Sequence, residues 1–321
     1  MVELASTAEP ARAAWEPIDP ATLLRIKNLH LRAKTVVEGF FHGLHRSPYH
    51  GFSAEFSEYR PYTPGDDPRW VDWRLFARCD RHYVKRFEDE TNLRCYLVVD
   101  RSKSMGYGSA GFTKGEYAVT LAASLAYFLT RQHDAVGVMT FNEAWGEFLP
   151  ARNRSGHLRR LLATLEAPLE GATTDLVSPL ERIAQLAPRR GLIVLVSDLL
   201  APLENLQPRL GYLCSQGHDV IVFQTLDPAE RDFTFRDAVT LFDLESGREV
   251  YVDAQVARTE YLRRFAEHNA RLETICNELG ISLFPCGTDR ALEYCLFDFL
   301  HARMRRGREV RRRQSAPRSR A

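Results

Sequence analysis

What this sequence lacks narrows its chemistry before anything it contains is weighed. Its six cysteines, at positions 79, 95, 214, 276, 286 and 295, include no CxxC pair and no zinc-like spacing with histidine. That removes zinc ribbons and thioredoxin-type redox pairs and leaves reduced, mostly buried thiols as the expectation. No apolar run is followed directly by GxGxxG or by GxxxxGK[ST], so no strand end carries a phosphate cradle for a dinucleotide or a nucleoside triphosphate. No run approaches the roughly 20 apolar residues of a membrane-spanning helix; GLIVLV stops after six, at Ser197 and Asp198. The first residues, MVELASTAEPARAAWEP, carry acids and no apolar stretch, unlike a secretory signal. Together these absences predict a cytoplasmic protein with no membrane span.

What is present is an ordinary globular composition, 45% apolar and 26% charged over 321 residues, enough for a sizeable core. The formal charge of +1 hides an asymmetry: residues 303–321 hold nine arginines and one acid, leaving 34 basic against 41 acidic residues, or −7, elsewhere. Such a tail offers nucleic acid, an anionic membrane surface or an acidic partner a place to bind. It is also the composition of a disordered, solubilising extension, and residues 306–321 are read that way. His42, His45 and His50 in FHGLHRSPYH stand close together, but with no second cluster of ligand spacing they read as surface or loop histidines.

Residues 1–18 read as disordered. DPATLLRIKNLHLRAKTVVEGF reads as one amphipathic helix starting near Asp19, with Pro20 in its first turn. Residues 51–92 are polar and aromatic, with Pro64 and Gly65 at the centre of a type II turn. From residue 93 the pattern changes. Short apolar runs at 93–100, 134–142, 191–198, 218–227 and 281–287 alternate with segments whose apolar residues recur every three or four positions. Continuous apolar strands alternating with helices predict an α/β fold: a doubly wound, mostly parallel sheet with helices on both faces. Residues 239–253 alternate around ESGR and read as an exposed hairpin.

In such sheets ligands gather at the carboxyl ends of the strands, where Asp100 and Asp198 stand. In YLVVDRSKS, Asp100, Ser102 and Ser104 alternate, and alternate residues of an extended loop point the same way. A phosphoryl-accepting aspartate would need a second carboxylate at position 102. The remaining use is a hard-cation site of few charges and several hydroxyls, suited to magnesium, which retains water readily. A second loop offers Thr173 from EGATTDLVSPL and a third offers Asp198 from LVSDLL. With only two carboxylates the ion would stay electron-poor and favour an incoming carboxylate. The plain alternative is that Asp100 and the serines only cap the following helix.

DRSKS, the threonine of GATTD and the aspartate ending LIVLVSD resemble the metal-ion-dependent adhesion site of von Willebrand factor A domains, in order and spacing, across residues 93 to about 305. The resemblance implies a metal held by Asp100, Ser102, Ser104, Thr173 and Asp198, with Mg2+, Mn2+ or Ca2+ as the ion. It selects Thr173, after Gly171 and Ala172, over Thr174. The usual glycine after the last aspartate is Leu199 in this sequence.

Upstream, FSEYRPYTPGDDPRWVDWRLFARCDRHYVKRFEDET, residues 56–91, is similar to the signature of the bacterial family catalogued as domain of unknown function 58. The match includes Arg60, Tyr62, Pro64, Gly65, Asp66, Arg69, Asp72, Trp73, Ala77 and Arg78. The expected organisation is therefore a disordered 1–18, a family-specific helix and hairpin extension over 19–92, a von Willebrand A-like domain over 93–305 and a disordered tail over 306–321.

The resemblance implies a non-enzymatic adaptor that works with a MoxR-type AAA+ ATPase on client proteins, a partner's Glu or Asp completing the metal's coordination. A metal-dependent hydrolase built on Asp66 and Asp72 is the alternative. Against it, Arg60, Arg69, Arg74 and Arg78 suit planar pairing with Asp66, Asp67 and Asp72, while Trp70 and Trp73 suit packing on the A-like domain. Nucleic-acid binding through the tail comes third, because no aromatic-interleaved basic groove accompanies it.

Overall fold

The central strands of this chain are apolar on both faces because both faces are covered. The computed structural model describes residues 16–46, 58–61, 83–86, 93–142, 145–167, 176–187, 190–235, 239–242 and 249–315. Two short strands, β1 (Glu58–Pro61) and β2 (Tyr83–Arg86), pair antiparallel in the upstream segment. The main sheet is built from β3 (Arg94–Asp100), β4 (Ala135–Phe141), β5 (Trp145–Arg152), β6 (Leu192–Ser197), β7 (Asp219–Leu226) and β10 (Ser282–Gly287). Between the last two, β8 (Val239–Phe242) and β9 (Glu249–Val252) form the expected antiparallel pair.

The strand order is β10-β7-β6-β3-β4-β5, with parallel pairing from β10 through β4. This is the doubly wound arrangement, its order reversing between β3 and β6. The edge strand β5 is antiparallel to β4 and had no counterpart among the expected strands. Its outer face is exposed, so it lacks the continuous apolar run that marks the others. Gly137 of β4 permits the pairing: a Cβ there would lie 2.7 Å from the Leu149 carbonyl oxygen and 2.8 Å from the Ala151 nitrogen.

Side chains alternate across the sheet. Cys95, Leu97 and Val99 face a layer of α2 (Leu29–Arg46), α3 (Lys114–Arg131), α4 (His157–Glu166) and α9 (Leu292–Ser315). Tyr96 and Val98 face α5 (Val177–Leu186), α6 (Leu203–Ser215) and α8 (Ala254–Glu278). A one-turn α7 (Pro228–Asp232) follows β7. Among the described residues no helix is long and apolar enough to cross a membrane.

The single helix expected from Asp19 is two. Asp19 caps α1 (Pro20–Leu24), its Oδ2 accepting from the Thr22 amide at 2.9 Å. The chain then leaves the helix, and Asn28 starts α2 afresh by accepting from the Leu31 amide at 2.8 Å. Capping by a short polar side chain competes with helix continuation, which is why the apolar period alone missed the break. α2 is part of the core: Leu29, Ala33, Val36, Val37 and Phe40 are fully buried. The Phe40 ring lies 4.7 Å from Phe297 and 5.5 Å from Phe128.

At the other end, α9 continues through Ser315, correcting the disordered tail expected from residue 306. Arginine is a good helix former, and the helix is already anchored in the core by Leu296 and Phe299. Arg303 of the same helix pairs with the buried Asp134 at 3.0 Å, fastening it beside β4. Residues 1–15 and 316–321 lie outside the described residues. Because α2 shares this core, Phe40→Ala is expected to destabilise the whole doubly wound domain by about 3–5 kcal/mol, read as one cooperative denaturant transition at a lower midpoint. A separate early transition with the main midpoint unchanged would show α2 to be an appendage.

Candidate functional site

β3 and β6 are neighbours, with Val99 opposite Val196, so Asp100 and Asp198 leave the sheet side by side at its carboxyl edge. Asp100 is wholly buried. Its Oδ1 accepts from the Ser102 amide at 2.9 Å and its Oδ2 from the Ser197 hydroxyl at 2.6 Å. The Ser102 and Ser104 hydroxyls stand 3.0 Å apart, so this loop gathers a carboxylate and two hydroxyls as the alternation predicts. Arg101, between them, turns away and donates to the carbonyls of Leu165 and Ala167. Among the described residues no ammonium or guanidinium pairs with Asp100.

The capping alternative does not hold for the serines. Ser102 precedes a single 3-10 turn (Lys103–Gly106) and makes no side-chain cap bond. α3 is capped by Thr113 instead, whose hydroxyl accepts from the Glu116 amide at 3.1 Å while Glu116 accepts from the Thr113 amide at 2.8 Å.

The Asp198 side of the site contains a group that pattern reading missed. Lys114, fully buried at the start of α3, places its Nζ 2.9 Å from Asp198 Oδ2 and 2.8 Å from Glu230 Oε1. Burial by itself would lower the lysine's affinity for its proton, but the two carboxylates more than offset that and hold it raised. Glu230 is raised because burial outweighs the lysine's effect. The available signal was a lysine opening an otherwise apolar helix, against the helix dipole.

Glu230 belongs to a capping box with Asp227, the third strand-end aspartate. Asp227 also holds the incoming loop, accepting from the Ser109 amide at 2.9 Å and hydroxyl at 2.6 Å. Leu199, where the resemblance expects glycine, adopts the left-handed conformation glycine favours, with φ of 56°. Its amide donates to Ser197 Oγ at 3.1 Å and its carbonyl accepts from His268 Nε2 at 2.8 Å. Gln224 supports the same turn by donating to the Asp198 carbonyl at 3.3 Å.

Thr173, its alternative Thr174, and Asp66, Asp67, Asp72, Arg69, Arg74, Arg78, Trp70 and Trp73 of the upstream signature lie outside the described residues. His42 bonds the Glu38 carbonyl through Nδ1 at 2.7 Å; the His45 side chain and His50 lie outside. Among the described residues no three His, Cys, Asp or Glu side chains cluster as a metal site. Five cysteines are free thiols, Cys286 and Cys295 having their sulfurs 3.0 Å apart; Cys79 lies outside the described residues. Gly106, Gly108 and Gly111 do stand at GxGxxG spacing. Gly106 ends the 3-10 turn rather than following the strand directly, and β4 is followed by Asn142 rather than an acid, so the dinucleotide fingerprint is incomplete.

The donor set fits a hard cation at Asp100. A buried carboxylate without a cationic partner, flanked by two hydroxyls, offers only oxygen ligands and one uncompensated charge. Burial, and secondarily the charge of Asp198, push the Asp100 carboxyl up from 3.8 to about 7. An acid raised in the native state binds protons there more readily than in the unfolded chain, so stability falls as pH rises through that interval. The metal-free chain is therefore expected to lose thermal stability between pH 4 and about 7 relative to Asp100→Asn. Parallel melting-temperature profiles for the two chains would refute this origin.

Residues 58–271 match the family model described as "Protein of unknown function DUF58". An uncharacterised protein of Mycobacterium bovis is 31% identical over 277 residues, covering 85% of this chain and 86% of its own length. A protein of Mycobacterium tuberculosis matches to the same extent. Among solved structures, the conserved hypothetical protein BatB of Bacteroides thetaiotaomicron aligns over 66% of this chain and 99% of its own, at 12% identity and a TM-score of 0.43. The SpRpn10 VWA domain aligns over 64% and 93%, at 12% identity and a TM-score of 0.38. With the upstream signature, the doubly wound sheet and the strand-end aspartates described, this chain belongs to the DUF58 family.

Proposed function

We propose that this chain is a non-enzymatic adaptor that captures an acidic side chain of a partner protein at the carboxyl edge of its sheet. The observation that carries the reading is Asp100: a buried carboxylate with no cationic partner among the described residues, beside the paired hydroxyls of Ser102 and Ser104. These three would hold Mg2+, Mn2+ or Ca2+, with Thr173 adding a hydroxyl from its own loop and Asp198 lying alongside. When bound, such an ion supplies a positive centre for one carboxylate oxygen of the partner.

The chain's own residues do the rest. Ser197 and the Ser102 amide orient Asp100, and Arg101 fixes the loop to the end of α4. A contact of this kind, shielded from water, makes one partner residue dominate an interface. Family membership supports a MoxR-type AAA+ ATPase, or a client protein presented to it, as the source of the Glu or Asp. Hydrolysis at Asp66 and Asp72 and nucleic-acid binding by the tail have no comparable observation in their favour.

The test is capture of the purified MoxR-type ATPase by the full chain, with Mg2+ or with chelator. Binding is expected to need Mg2+ and to fall at least tenfold with Asp100→Ala or with Ser102→Ala/Ser104→Ala. Calorimetry should show Mg2+ binding in the wild-type chain alone. Partner capture indifferent to chelator and to Asp100→Ala would reject the mechanism.

A further inference from the structure

We infer that Lys114 is a built-in counter-cation that withholds Asp198 and Glu230 from a divalent ion held at Asp100, Ser102 and Ser104, leaving that ion weakly bound and electron-poor. The inference deepens the metal reading above and rests on it. Four ionisable groups meet where the sheet order reverses: Asp100, Asp198, Glu230 and Lys114. Asp198 and Glu230 both have the ammonium within 3 Å, whereas among the described residues Asp100 accepts only from a hydroxyl and an amide. Both aspartates keep spare lone pairs, so charge distinguishes them rather than bonding capacity.

Neither helix energetics nor packing accounts for an ammonium here. Lys114 stands in the first turn of α3, where the macrodipole disfavours a cation, and its side chain is 0% exposed. A buried charge persists when its partners are fixed, and these are. Glu230 uses Oε1 on the lysine and Oε2 on the Asp227 amide at 3.2 Å; Asp198 uses Oδ2 on the lysine and Oδ1 on the Leu200 amide at 3.3 Å.

The lysine's own backbone is fixed too. Its amide donates to the Tyr107 carbonyl at 2.8 Å, closing the loop that begins at Ser102. Gly108 allows that closure, because a Cβ there would lie 1.8 Å from the Phe112 carbonyl oxygen. The fold thus delivers the ammonium to Asp198 from the same loop that delivers the hydroxyls to Asp100.

The consequence is electrostatic. With Asp198 and Glu230 already served, a divalent ion at Asp100 meets one uncompensated carboxylate and retains positive charge for a partner's acid. Without the ammonium, the same ion would draw in Asp198, bind more tightly and attract an incoming carboxylate less. Lys114 is a positioning residue in this scheme: it acts on the ion through Asp198.

The experiment measures Mn2+ affinity of the full chain by calorimetry and electron paramagnetic resonance. Lys114→Met/Glu230→Gln, which removes one charge of each sign, is expected to bind Mn2+ at least tenfold more tightly than wild type, and adding Asp198→Asn should remove the gain. Should the Lys114 variants fail to fold, 15N NMR of the wild-type ammonium decides: its resonance is expected to persist at saturating Mg2+. Wild-type Mn2+ binding that needs Asp100 but does not strengthen without Lys114 overturns this inference alone. Collapse of the ammonium resonance into the free-lysine signal on Mg2+ binding does the same. No Mn2+ binding by wild type or any variant overturns the metal reading and the inference with it.

Discussion

The buried Lys114 ammonium, paired with the buried Asp198 and the half-buried Glu230, is the constraint around which the rest of this molecule is arranged. Lys114, Asp198 and Glu230 come from the start of α3, the turn after β6 and the short helix after β7. No two of them are near in sequence. Their ion pairs therefore tie three strand-end loops together at the place where a doubly wound sheet opens its crevice. Asp100, one strand over, accepts from a hydroxyl and an amide, and burial together with the charge of Asp198 raises its proton affinity.

The surrounding structure holds this arrangement against its costs. Leu199 adopts a left-handed backbone, which costs a non-glycine residue about 1 kcal/mol or more. Its side chain is buried with the α5, α6 and α8 layer, and His268 of α8 bonds its carbonyl. A glycine would relieve the backbone but bury nothing, so leucine at this position exchanges local ease for packing. Asp227 works in the same way on the other side, capping α7 while fastening Ser109. The crevice is braced from both flanks, by Leu199 through Ser197 and by Asp227 through Ser109.

Much of the fold was legible because burial writes itself into periodicity. The five parallel strands and the helices between them appear at the positions their apolar spacing predicts. β5 was illegible, since an edge strand with one exposed face has a short, mixed pattern and pairs through its backbone. The break between α1 and α2 was missed because Asn28 caps by a local hydrogen bond that leaves the apolar rhythm unchanged. The helical stretch beyond residue 305 was hidden by its arginines, whose charge suggested disorder while their helix propensity extended an anchored helix.

For the candidate site the division is sharper. Local sequence determined the Asp100, Ser102 and Ser104 grouping, because alternation along a short turn fixes which oxygens share a side. It also determined that Asp100 and Asp198 would end apolar strands. Only the tertiary structure decided that those strands are adjacent and that Lys114 reaches Asp198 across 84 positions of chain. It likewise decided that Asp100 has no counter-charge among the described residues. Pairing of buried charges depends on distances through space in a medium of low dielectric, and no spacing along the chain encodes those distances.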